Sequence, residues 1–166
     1  MENDTTEHKV LIQALSEPAD YSNSFDQVVE QLRIKLVQAL GAEVFRNGDM
    51  NYSSAQTIEL WLGKAHEPVG TRSAALYGIL IFISSKGHFC AIRCITQDAP
   101  RRWLPLPDGE LDKNLEAYIQ KTEQILATEG YVSLSRSVLS QKVEGHLTRL
   151  DKLPATVFQV LFSELG

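Results

Sequence analysis

An α+β fold is predicted for this chain: an antiparallel meander of about four to six strands, with about three helices packed mainly on one face in two layers. Three observations predict it. Leu76-Tyr77-Gly78-Ile79-Leu80-Ile81-Phe82-Ile83 is an unbroken apolar run, followed by Ser84-Ser85-Lys86-Gly87 and a second run, Phe89-Cys90-Ala91-Ile92-Arg93-Cys94-Ile95. The pair reads as a hairpin whose first strand is apolar on both faces, and such a strand belongs in the middle of a covered sheet. Stripes at helical spacing occur on either side of it in the sequence. Finally, the 166 residues contain no internal repeat, no low-complexity tract and no dividing linker, which favours one domain.

Residues 1–23 are mostly polar around Val10-Leu11-Ile12 and read as a flexible segment with one short element of unassigned type. The single α+β domain is expected to span 24–166. Pro18 and Asp20-Tyr21-Ser22-Asn23 mark a loop. Ser24 and Gln27 have capping-box spacing, so a helix is expected from Ser24. Phe25, Val28, Val29, Leu32, Leu36 and Leu40 form its stripe, Gly41 suits its end, and Ile34 falls on the outer face. Asn47-Gly48 between Val44-Phe45 and Met50-Asn51-Tyr52 predicts a tight hairpin. Thr57 to Leu62 alternates, with Ile58, Leu60 and Leu62 on the covered side.

After the hairpin, Pro100 to Gly109 is a connection stiffened by prolines at 100, 105 and 107. Asp108 can cap a second helix over 110–128, with Leu111, Leu115, Tyr118, Ile119, Ile125 and Leu126 as its stripe and Gly130 at its end. Tyr131 to Leu134 reads as a short strand. Ser135 to Leu153 is ambiguous, with a short helix expected around Val138–Gln141. Pro154 suits the first turn of a last helix carrying Val157, Phe158, Leu161 and Leu165. Val160 and Phe162 widen its apolar face, so it is expected to be deeply buried or to lie against another subunit.

The composition is that of an ordinary globular protein, 43% hydrophobic and 22% charged. A formal charge of −5 disfavours nucleic acid and anionic membranes as general partners. The polar, acidic start lacks a secretory signal, and the apolar run from Leu76 falls far short of the ~20 residues of a membrane-spanning helix. A cytoplasmic location is therefore expected, with no membrane contact. On one extended strand the Cα atoms of Cys90 and Cys94 stand roughly 13 Å apart. That exceeds the ~7 Å limit of a disulfide, so two reduced thiols are expected.

His88, Cys90 and Cys94 would share a strand face, close enough at His88 and Cys90 for a thiol–imidazole pair. No CxxC or HxxxH supports a metal site, and no GxSxG, SxxK, GxxxxGK[ST] or GxGxxG is present. No cofactor or metal is therefore expected. Arg101-Arg102-Trp103 is the most suggestive binding feature, because forked guanidinium donors and a tryptophan recur at interfaces. The plainer reading lays Trp103 on the sheet edge and leaves both arginines in water. Arg136, Lys142, Arg149 and Lys152 are offset by Glu144 and Asp151, a balance too weak for nucleic-acid binding.

The reading that results is a non-catalytic interaction protein, an adaptor, toxin-neutralising partner or chaperone-like module. Its partner is expected to be a protein, including a second copy of itself, and Arg101, Arg102, Trp103, Ile34, Val160 and Phe162 are the candidate contacts. The alternative is a small thiol-dependent or metal-assisted enzyme using His88 and Cys90.

Overall fold

The computed structural model describes residues 2–41, 43–47, 53–61, 76–99, 102–105 and 113–164. In chain order its elements are α1 (Glu2–Ser16), α2 (Asn23–Leu40), β1 (Glu43–Asn47), β2 (Ala55–Trp61), β3 (Leu76–Ser84), β4 (Phe89–Ala99) and β5 (Arg102–Pro105). They continue with α3 (Lys113–Thr128), β6 (Val132–Ser133), α4 (Arg136–Leu139), β7 (Lys142–Leu147), β8 (Pro154–Thr156) and α5 (Val157–Leu161). The fold is thus mixed α+β. The main sheet runs β1-β2-β3-β4-β5 with antiparallel neighbours, β6 joins β4 in parallel, and β7 and β8 form a separate hairpin.

Strand β3 holds the centre. It pairs with β2 through Ile58↔Ile81 and Leu60↔Ile79, and with β4 through Ile81↔Ile92 and Ile83↔Cys90. Its side chains alternate between two cores. Ile79, Ile81 and Ile83 pack with Val29, Leu32 and Leu36 of α2 and Leu126 of α3. Leu80 and Phe82 pack on the other side with Ala14 and Leu15 of α1 and Val157, Phe158 and Leu161 of α5. Helices therefore cover both faces rather than mainly one. A strand apolar at successive positions requires this, since either face left open would put large aliphatic side chains in water at ~25 cal/mol per Å².

The second core is centred on aromatics. Phe82 meets Phe158 edge-on at 5.1 Å, and Phe158 and Phe162 lie 5.4 Å apart. The Arg93 guanidinium sits 3.9 Å from the Phe158 centroid, a cation–π contact that covers the outer rim of the cluster. Hydrogen bonds to main-chain carbonyls tie this layer to the sheet: the Ser54 amide donates to Phe162 O at 2.8 Å, and the buried Ser84 hydroxyl donates to Leu161 O at 2.8 Å.

Local chemistry accounts for where elements differ from expectation. Helix α2 is capped by Ser22, not Ser24: the Ser22 hydroxyl accepts from the Phe25 amide at 3.3 Å, and its own amide donates to Asp20 Oδ1 at 2.8 Å. That turn fixes Ser22 in the extended conformation a cap requires. Val28 is 45% exposed, outside the buried stripe. Gly41 closes the helix at φ 62°, donating to Val37 O at 3.0 Å.

The unassigned element within 1–23 is α1, which packs through Leu11, Ala14 and Leu15. The last helix starts three residues after Pro154. Pairing of Lys142 with Thr156 keeps 154–156 extended, and Thr156 and Gln159 then form a reciprocal capping box. The expected short helix is α4, two residues earlier than its predicted start, and β7 follows it. Met50-Asn51-Tyr52, Leu62, Leu111 and Leu165 lie outside the described residues.

Phe162 is wholly buried in the second core. Phe162→Ala should lower the unfolding free energy by about 3–5 kcal/mol, read from urea denaturation. Val28→Ser on exposed α2 surface should change it by no more than about 0.5 kcal/mol.

Candidate functional site

The thiol and the imidazole singled out in the sequence are not brought into one site. Residues 85–88 form a bend before β4 begins, with Gly87 at φ 76°, so strand alternation does not extend back to His88. Cys90 is 1% exposed in the first core, and Ile92 and Cys94 pack against that same core. His88 is exposed, its ring centroid 5.3 Å from that of Tyr131. The His88 carbonyl accepts the Val132 amide at 2.9 Å, which docks β6.

Burial pushes the Cys90 thiol up to about 12, the Glu123 carboxylate adds to the rise, and a hydrogen bond with Ser133 opposes it. A thiol so placed supplies no nucleophilic thiolate near neutral pH. Both cysteines are free, and no group of three or more His, Cys, Asp or Glu among the described residues is placed to hold a metal ion.

The candidate contacts are dispersed. Arg101 lies outside the described residues. Arg102 and Trp103 are described as backbone of β5, opposite Ala99 and Gln97. Ile34 is half-buried on α2. Val160 and Phe162 are buried in the second core, so the wide apolar face of the last helix is used within the chain.

Two surfaces that the sequence did not reveal stand out instead. The first is the tip of the β7–β8 hairpin. Leu147, Leu150 and Leu153 are 61%, 51% and 58% exposed. The turn that carries them is well bonded. The Thr148 amide donates to Leu153 O at 2.9 Å, and the Lys152 amide donates to Thr148 O at 3.2 Å. The buried Thr148 hydroxyl bonds to the Asp151 carboxylate, which also accepts the Leu153 amide at 3.1 Å. These bonds, the Thr148 hydroxyl foremost, hold Asp151 below the usual carboxylate range. At the base of the tip, the Arg149 amide and Nε donate to Glu164 Oε1 at 2.9 and 3.4 Å.

The second surface is a groove of about 470 Å³ between α1 and the bend preceding β4, closed on one side by Gly130 and Val132. Helix α1 contributes Glu7, Val10, Gln13, Ala14 and Glu17, and the bend contributes Gly87, His88 and Phe89. Glycine is needed at 87: besides its positive φ, a Cβ there would lie 3.0 Å from the Ala14 Cβ and 3.2 Å from the Phe89 ring. The groove wall is apolar, and its ionisable groups are two carboxylates and one imidazole.

Sequence signals for both were weak. Leu147, Leu150 and Leu153 recur at every third position, a spacing that suggests a helical face as readily as a turn. The turn contains no Gly or Pro, and Lys152 takes the left-handed position at φ 60°.

Iodoacetamide should leave Cys90 unmodified in the folded protein at neutral pH and label it after unfolding. Because the folded thiol titrates above its ordinary value of 9.0, its contribution to stability is complete below pH 9. That contribution should be lost as pH climbs toward about 12, and Cys90→Ala should flatten this part of the stability profile.

No protein-family model, curated protein or solved structure matches the chain.

Proposed function

We propose that the chain is a non-catalytic protein-interaction module, of the adaptor, toxin-neutralising or chaperone-like kind, and that the leucine tip of the β7–β8 hairpin is its principal contact. The observation that carries this reading is the contrast between a firmly bonded turn and the three leucines it exposes, each more than half in water. Isolated exposed aliphatics are ordinary, but three gathered on one ordered turn offer contact area with little ordering entropy left to lose. The two free thiols accord with a cytoplasmic setting. Among the described residues no helix is long and apolar enough to cross a membrane.

The thiol-enzyme alternative draws no support from the site, because Cys90 is sealed in the first core with a raised pKa while His88 lines the groove. Binding at the tip asks for no such chemistry.

The paired substitution Leu150→Ser and Leu153→Ser should leave folding stability within about 1 kcal/mol, since both side chains are already exposed. It should weaken retention of a protein partner on immobilised chain at least about tenfold. Val28→Ser, at a position 45% exposed on α2, serves as the control that retains binding. Unchanged retention by the doubly substituted tip would contradict the assignment.

A further inference from the structure

We infer that a second copy of this chain is a partner of the tip: the leucines of one copy enter the α1 groove of the other, and the exchange is reciprocal. The inference rests on the tip being a contact surface, and it names the occupant.

Shape supports it first. Among the described residues the tip is a convex aliphatic feature and the groove a concave, mainly apolar one, and no residue of the tip lines the groove of its own chain. The groove's volume of about 470 Å³ falls within the range of cavities that bury a ligand, ~300–1,000 Å³. Its wall includes apolar area that the single chain leaves in water, with Val10 49% and Val132 37% exposed.

Charge supports it second. The groove presents Glu7 and Glu17. At the tip, the Asp151 carboxylate is held by Thr148 and the Leu153 amide, and Arg149 is engaged with Glu164. Lys152, between Leu150 and Leu153, is then the tip's available cation, set to meet a carboxylate rim as the leucines enter the groove. Complementary charges of this kind fix register more than they add affinity.

Placement supports it third. His146 Nε2 of β7 lies 3.2 Å from the Leu15 carbonyl oxygen of α1, so the hairpin meets the same helix that lines the groove, near its C-terminal end. Lys86, whose ammonium is disfavoured by burial, also feels Arg149 from the hairpin and Glu17 from the groove. A projection and a recess carried next to the same helix can form a self-complementary patch, which is what a two-fold dimer requires.

Sedimentation equilibrium with two single variants, Leu150→Glu and Val10→Lys, tests this. Both positions are about half exposed, so each variant should unfold at a temperature close to that of the unaltered chain. The unaltered chain should show a two-chain mass that falls on dilution. Each variant alone should be monomeric at concentrations where the unaltered chain is dimeric. An equimolar mixture of the two should recover the two-chain mass, because one intact tip then meets one intact groove. A monomeric unaltered chain, variants that still dimerise, or a mixture that stays monomeric would each overturn the inference. A monomeric chain whose partner retention still depends on Leu150 and Leu153 would leave the interaction reading standing, so the two failures are separable.

Discussion

Two-sided burial of β3 is the constraint from which the rest of the architecture follows. A strand carrying Ile79, Ile81 and Ile83 on one face and Leu80 and Phe82 on the other cannot sit at an edge or leave a face wet. Each face needs a cover whose apolar stripe is long enough. Helices α2 and α3 supply one, and the other is assembled from more numerous pieces, α1, α5 and the β7–β8 hairpin. In the first cover, α2 is capped at both ends, by Ser22 and Gly41. The second is composite: a groove runs between α1 and the bend preceding β4, and the hairpin ends in a projecting turn.

The same packing places the thiol and the imidazole in different surroundings. Cys90 is drawn into the first core by its register opposite Ile83, which removes the thiol from water and raises its pKa. The bend at 85–88 leaves His88 exposed at the groove, its ring against Tyr131 at the margin of that core. One close approach, Gly87 against Ala14, sets α1 beside the bend and so defines the groove floor. The position of α1 beside the bend therefore follows from backbone geometry at a single glycine, and the burial of Cys90 from strand register.

Much of the framework was legible in the sequence because its signals were redundant. The apolar run to Ile83, the polar Ser84–Gly87 turn and the run from Phe89 specify a hairpin at the level of pattern, composition and turn chemistry together. Phe25 to Leu40 combines a full stripe with Gly41 at its end, although the cap moved to Ser22 because Asp20 organises the turn before it. The composite cover was not legible. In α1 the apolar residues split between buried Ala14 and Leu15 and exposed Val10 and Ile12, so no single face announces itself. In β7, Val143 and His146 are half-buried and the remainder exposed, which leaves almost no alternation to read. Pro154 pointed to a helix start, but cross-strand pairing with β7 outweighed that local preference and held Thr156 back as the cap. The candidate contacts at Val160 and Phe162 rested on the width of an apolar face, and width alone does not say whether the cover comes from the same chain.

Amide hydrogen exchange resolved by residue tests the central claim most directly. If β3 is the strand on which both cores depend, the amides from Ile79 to Phe82 should exchange only through global unfolding, tracking the free energy from denaturant. Those of β7, which borders the composite cover, should open sub-globally and exchange faster. Amides of Ile79 to Phe82 exchanging as fast as those of Val143 and His146 would contradict the account.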